Sequence, residues 1–279
     1  MAVLILPGSK AISEHRPRFY ALNPGSPQTV GLRWLSHFDG HANNCAGGKE
    51  QVVSSSGVTY TPWGAQFDAT TDYIDFGDVT TFDGWSAITV SAWVRLDALG
   101  AARRWFSKWS SSGGYSLLLG NRDDSNSDLT LGVAGDGTYE AWGTGAGQAG
   151  AVGLYHVVWS WDANRTGSGG HVLYLNGRQT TLVEVYDPGD PTSIGAASSP
   201  LRFGAQSDAT EALVGEWRHC AIYNRALTAA EAYALYDPAT RWDLYWQPAR
   251  RLWLDLGAAP VTASASEYSD IDTISSSNW

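Results

Sequence analysis

The run Asp123-Asp124-Ser125-Asn126-Ser127-Asp128 places oxygen-bearing side chains at alternate positions. Asp124, Asn126 and Asp128 together offer the donor set that a hard cation such as calcium takes. The run is not an EF-hand, because glycine is missing from the sharp-turn position and no glutamate closes the loop. A solvated turn between two strands would use the same residues, so weak calcium binding is the expectation a metal titration would test. Nucleophilic chemistry has less to work with. The six histidines, at 15, 37, 41, 156, 171 and 219, stand singly, and no Gly-x-Ser-x-Gly elbow is present. His156 and His171 each read as edge histidines in contact with water. Cys45 and Cys220 lie far apart and form no C-x-x-C pair, which removes the usual zinc arrangement. Free thiols are favoured, and one disulfide stays open if early and late strands are neighbours.

Fourteen tryptophans point to a different chemistry, since flat aromatic faces stack on sugar rings, although burial accounts for many of them equally well. Tyr139 and Trp142 lie in a glycine-rich stretch from Gly135 to Gly150 and are the best candidates for an exposed loop platform that binds a ligand. Charge narrows the partners. The chain carries a net charge of −10, with no cluster of lysine and arginine to reverse it locally, so nucleic-acid binding is not expected.

These residues must be held by strands. From Ile88 to Leu96 the chain alternates, with Ile88, Val90, Ala92, Val94 and Leu96 on one face and Thr89, Ser91, Trp93 and Arg95 on the other. That period of two defines a strand with one buried face. Phe67 to Phe76 is a second alternating run, bent at Thr70-Thr71-Asp72. Leu129, Leu131 and Val133 alternate, as do Val157, Trp159 and Trp161. Val172-Leu173-Tyr174-Leu175 leads into Asn176-Gly177, the pair that best tolerates a type I′ hairpin turn. Gly113-Gly114 marks another hairpin. Gln51 to Val53 and Val58 to Tyr60 are short strand candidates. About a dozen short strands predict an all-β, antiparallel two-sheet sandwich. One helix is expected after Thr228, whose side chain and Glu231 form a capping box, and Asp237-Pro238 ends it.

The landmarks Phe67-Asp68 through Tyr73-Ile74-Asp75, Thr89 to Val94, Ser107-Lys108 with Gly114-Tyr115-Ser116-Leu117, Leu173 to Gly177, and Ile222 to Thr228 ahead of Glu231 occur in one order. In that order the chain resembles the laminin G-like branch of the concanavalin A-like lectin and glucanase jelly rolls. The resemblance implies two antiparallel sheets packed face to face, a short helix closing one end, and binding of sugars, glycans or protein partners, often with calcium at the loop rim. Relatives usually carry two acidic residues just before the Ile-Tyr-Asn-Arg-Ala-Leu landmark. Here those positions are Arg218 and His219, so calcium is not expected there. Glucanases of this fold commonly carry a Glu-x-Asp-x-x-Glu run, and none of the eight glutamates begins one. Glu184 with Asp187 comes nearest, on a segment that Pro188 and Gly189 make a turn. No catalytic residue is assigned.

The domain expectation is an extended N-terminal arm over residues 1–30, a jelly roll over 31–237, and a C-terminal arm over 238–279. The C-terminal arm is rich in large apolar groups, and Trp242, Trp246, Arg250, Arg251 and Trp253 are expected to dock on neighbouring subunits, making the protein an oligomer. No secretory signal or membrane span is read from the sequence. A lectin-like sandwich flanked by apolar arms and lacking an export signal fits a structural protein of a bacteriophage virion, a setting where the resembled family is common. Capsid decoration or tail, with glycan or host-surface attachment or particle reinforcement, is the expected role. A free, extracellular carbohydrate-binding or adhesive module and a glycoside hydrolase are the alternatives.

Overall fold

The structure is a computed structural model. It describes residues 2–4, 21–98, 102–110, 114–121, 129–144, 152–165, 168–187, 189–246 and 252–254. In chain order the strands are β1 (Ala2–Leu4), β2 (Leu32–Ser36), β3 (Ser54–Ser56), β4 (Thr59–Tyr60), β5 (Ala65–Phe67), β6 (Tyr73–Asp75), β7 (Ala87–Leu96), β8 (Arg103–Ser110) and β9 (Gly114–Asn121). They continue with β10 (Leu129–Gly135), β11 (Thr138–Thr144), β12 (Gly153–Asp162), β13 (His171–Leu175), β14 (Arg178–Thr180), β15 (Leu182–Tyr186), β16 (Arg202–Phe203), β17 (Gly215–Tyr223) and β18 (Leu252–Leu254). One helix, α1 (Ala229–Tyr236), follows β17.

Two antiparallel sheets form the sandwich. The first runs β15-β11-β10-β9-β8-β16-β6-β3, and the second runs β14-β13-β12-β7-β17-β5-β4, with β2 also paired to β17. The alternation in β7 determines its orientation: Ile88, Val90, Ala92, Val94 and Leu96 all enter the core between the sheets. Leu129, Leu131 and Val133 enter it from the other side, and Val157, Trp159 and Trp161 join from β12. Among the described residues Trp34, Trp105, Trp159, Trp161 and Trp217 are wholly buried and belong to the core. Each such side chain contributes roughly 2–3 kcal/mol by leaving water, which is why large aromatics can hold together a sandwich built from short strands.

Local signals in the sequence correspond to local structure. Asn176 and Gly177 have φ of 49° and 75°, closing the β13–β14 hairpin as a type I′ turn requires. Thr228 and Glu231 form the full capping box at the start of α1. The strand expected over 51–53 lies instead at Ser54–Ser56, where it pairs with β6. Both cysteines are free thiols, Cys45 exposed and Cys220 buried.

Helix α1 lies over the outer face of the second sheet. Ala232 packs on Val158 and Tyr174, and Leu235 joins Leu35, Ala221, Tyr223, Leu244 and Tyr245. Trp93, on the outer face of β7, is covered by Tyr236 at a 6.0 Å ring separation and by the Arg241 guanidinium at 5.5 Å. The packed body therefore extends past the 31–237 boundaries read from the sequence. Residues 21–30 and 238–246 are tied to each other through Gln28, whose amide donates to the Thr240 carbonyl at 2.8 Å and accepts from the Leu244 N–H at 2.8 Å. Leu22 also bridges to Tyr245. These apolar residues cover the back of β2 and β17, which would otherwise face water.

The chain divides into two compact units, one of residues 13–246 and one of residues 1–12 with 247–279. In the smaller unit β1 and β18 pair antiparallel, with Val3 opposite Trp253. Among the described residues no helix is long and apolar enough to cross a membrane.

Candidate functional site

Strand β10 sends Leu131 and Val133 into the core, so Gly132 faces outward from the first sheet. A Cβ on Gly132 would lie 3.4 Å from Trp109 Cζ3, which puts the Trp109 ring on that outer face. Three tyrosines gather around it. Tyr115 lies opposite Trp109 across the β8–β9 pair with ring centroids 4.7 Å apart, and Tyr139 meets Trp109 edge-on at 5.5 Å. Tyr186, from edge strand β15, stacks on Tyr139 at 4.3 Å with planes 16° apart. Tyr115 is 40% exposed and Tyr186 44%, and Trp109 and Tyr139 are half-buried. A hydrogen bond with Tyr186 holds the Tyr139 phenol above its ordinary pKa. The result is a rigid, water-facing aromatic surface with hydroxyl groups at its edge. Such a surface can stack on the apolar face of a sugar ring and hydrogen-bond its hydroxyls.

Trp142 does not belong to this platform. It shares the inner face of β11 with Glu140, and its Nε1–H donates to Glu140 Oε2 at 3.3 Å. Tyr139 and Trp142 are three apart, an odd spacing that puts them on opposite faces of one strand. The stretch read as a glycine-rich loop is strand β11 over residues 138–144. Glycine there serves close packing between strands.

Behind the platform lies a buried polar group. Glu140 is fully buried and accepts from Trp161 Nε1 at 2.9 Å. His171 Nδ1 accepts from Trp159 Nε1 at 2.9 Å, so in the neutral ring Nε2 carries the proton, and it faces Glu140 Oε1 at 3.3 Å. Burial lowers the His171 pKa, and Glu140 only partly offsets this. His171 is thus a core residue stacked on Trp159 at 5.8 Å, and the expectation of an edge histidine is corrected. His156 is corrected likewise. It is buried, bonded to Ser91 Oγ at 3.1 Å and covered by Tyr236.

The other expected residues are dispersed. Asp124, Asn126 and Asp128 lie outside the described residues, as do Arg250 and Arg251. Trp242 is half-buried and packs edge-on against His219 at 5.6 Å, inside its own body. Trp246 is 56% exposed. Trp253 lies on β18, and its side chain is outside the described residues. At the position where the resemblance would place acidic residues, Arg218 donates to Glu216 at 3.0 Å and His219 bonds the Tyr245 hydroxyl at 2.9 Å. Neither residue suits a calcium ion. Elsewhere, a cleft of about 690 Å³ is lined by Arg33, Lys49, Glu50, Asp78 and Thr81 among others. Glu50 there is committed to Thr81 and Asn44.

Two packed antiparallel sheets with an exposed aromatic face define a lectin-type sandwich. The chain belongs to the concanavalin A-like lectin/glucanases superfamily, whose laminin G family model matches residues 68–232. No curated protein matches it in sequence. Solved structures share its fold. The binding domain of botulinum neurotoxin DC in complex with SialylT aligns with a TM-score of 0.55 and 10% identity, covering 75% of this chain and 52% of that one. The binding domain of Paraclostridial Mosquitocidal Protein 1 gives 0.54 and 15%, covering 76% and 53%. Domain 4 of AbnA, a GH43 extracellular arabinanase from Geobacillus stearothermophilus, in complex with arabinotriose, gives 0.51 and 16%, covering 75% and 99%. The chain thus spans about half the length of the toxin binding domains and the whole of the arabinanase domain.

Proposed function

We propose that the protein is a non-catalytic glycan-binding module, with Trp109, Tyr115, Tyr139 and Tyr186 as the surface on which the sugar lies. The observation that carries this reading is the exposed, mutually braced aromatic quartet on the outer face of the first sheet. Sugar complexes of structural relatives, such as arabinotriose on the arabinanase domain, support the ligand class. Hydrolysis is disfavoured because Glu140, beside Tyr139 on β11, is fully buried on the inner face, and no Glu-x-Asp-x-x-Glu run occurs in the sequence. The role we assign is display on a bacteriophage virion, as capsid decoration or on the tail, for host-surface attachment or particle reinforcement. Support for the setting is the resemblance of the sequence landmarks to a family common in tailed-bacteriophage virion proteins, together with the compact unit formed by the two chain ends. That unit is where we place contacts to neighbouring subunits, with exposed Trp246 beside it in sequence.

A glycan array with wild-type protein and Tyr139→Ala and Tyr186→Ala variants tests the binding reading. Wild type should bind, and each variant should lose about tenfold in affinity, ~1.4 kcal/mol, with an unchanged melting temperature. Equal binding by both variants would overturn the assignment, and reducing-end release from a polysaccharide panel would favour a hydrolase instead.

A further inference from the structure

The cleft noted above opens beside β6 and β3, at the opposite edge of the first sheet from Tyr186. Its volume of about 690 Å³ falls within the roughly 300–1,000 Å³ typical of small-molecule sites. One wall is the 46–51 loop ahead of β3, the other is the 78–81 loop after β6, and β2 contributes Leu32 and Arg33. Both walls are pinned. Gly48 lets the first loop close on its own side chains, since a Cβ there would collide with Asn44 and Glu50. The second is held from behind by the wholly buried Lys108, whose Nζ donates to the Val79 carbonyl at 2.7 Å and pairs with Asp78 at 3.0 Å. The Thr81 hydroxyl donates to Glu50 and so ties one wall to the other.

The apolar part of the lining comes from the core. Phe76 and Val79 are core residues, each 5% exposed, Leu32 is half-buried, and Val53 in the same lining is 71% exposed. The charged groups around them divide into committed and uncommitted. Glu50 accepts from Thr81 and from Asn44 Nδ2 at 2.7 Å, and Asp78 is matched by Lys108, which also reaches Asp83 at 3.4 Å. Arg33 and Lys49 are exposed, and among the described residues neither pairs with a carboxylate. The neutral Asn224 amide, donating to the Gly31 carbonyl at 3.0 Å, accepts from Arg33 at 3.2 and 3.3 Å, which orients the guanidinium without cancelling its charge. Two cations with open donors beside an apolar floor suit an anion on an apolar body. Glu50 and Asp78 limit that anion, because each further negative charge on a ligand meets their repulsion. A single carboxylate satisfies both conditions, and a phosphate ester or a polyanion does not.

We infer that this cleft binds a small monocarboxylate with an acyl or aryl body, Arg33 and Lys49 taking the carboxylate and Phe76, Val79 and Leu32 the body. The site shares no residue with the aromatic platform. The inference goes beyond the glycan reading and is tested without sugar.

The full chain is titrated calorimetrically with octanoate and with 2-naphthoate, which separate the acyl from the aryl source, and with the primary amide of each. At least one acid should bind, and its amide should bind at least about tenfold more weakly, because the amide forfeits the charge-assisted bonds to both cations. Arg33→Gln with Lys49→Gln changes two exposed side chains that make no ion pair among the described residues. That double variant should melt as wild type, lose at least about tenfold for the acid and leave the amide unchanged. Thr80→Trp, which fills the cleft with an indole, should abolish binding of acid and amide alike, whereas Tyr139→Ala should alter neither. Failure of both acids to bind at millimolar concentration, an amide as tight as its acid, or acid binding that survives either cleft variant would overturn the inference.

Discussion

His156 sits mid-strand in β12 with a fully buried ring, and burial, aided by the nearby Arg241 charge, lowers its pKa to about 3. In the unfolded chain it titrates near the ordinary histidine value of about 6.5. Between those two values the unfolded state binds a proton that the folded state refuses, so stability falls as pH drops from about 6.5 towards 3 and is unaffected above that window. The slope approaches ~1.4 kcal/mol per pH unit. His156→Gln should flatten the dependence of melting temperature on pH between 6.5 and 4.5, and a profile identical to wild type would show that the ring is protonated or exposed. At this scale the sequence was least informative. A histidine flanked by tyrosine and valine looks the same whether a helix from eighty residues downstream covers it or not.

The β13–β14 hairpin and helix α1 show how one residue couples two elements. Gly177 is needed for its positive φ in the turn, and a Cβ there would stand 2.6 Å from Tyr236 Cδ1 and 3.1 Å from Tyr233 Cδ2. Gly177→Ala should therefore cost more than the backbone strain alone, about 1–3 kcal/mol by chemical denaturation, with the helix displaced from the hairpin tip. A loss below about 0.5 kcal/mol would mean that α1 does not rest on this turn. Elements of this kind were legible beforehand. The Asn-Gly pair, the Thr228–Glu231 capping box and the alternation of β7 are local in cause, since turn dihedrals, orphan amides and strand pleat act within a few residues. The landmark order read in the sequence agrees with the family to which the chain belongs. Where the helix went was not local: it covers the outer face of the second sheet, because Ala232 and Leu235 find Val158, Tyr174 and Leu35 there.

For the molecule as a whole, the packing of Leu244 and Tyr245 decides where the body stops. Both are 1% exposed in the second apolar cluster. Removing residues 247–279 should leave the melting temperature of the sandwich within a degree or two, whereas removing 238–279 should lower it sharply, since the deletion exposes Leu35, Ala221 and Tyr223. Equal stability of the two truncations would place the body's end before residue 238. The same pair of truncations examines the virion proposal: protein lacking 247–279 should fold and bind glycan yet fail to associate with particles.

Alternating apolar residues, turn pairs and caps were enough by themselves to specify an all-β, two-sheet sandwich with one short helix, because each depends on contacts between near neighbours in the chain. The aromatic platform and the cleft beside β3 were not specified in that way. Trp109, Tyr115, Tyr139 and Tyr186 come from four strands, and Arg33, Lys49 and Val79 from a strand and two separate loops. Only sheet order and register, which arise from packing the whole core at once, bring them within reach of each other.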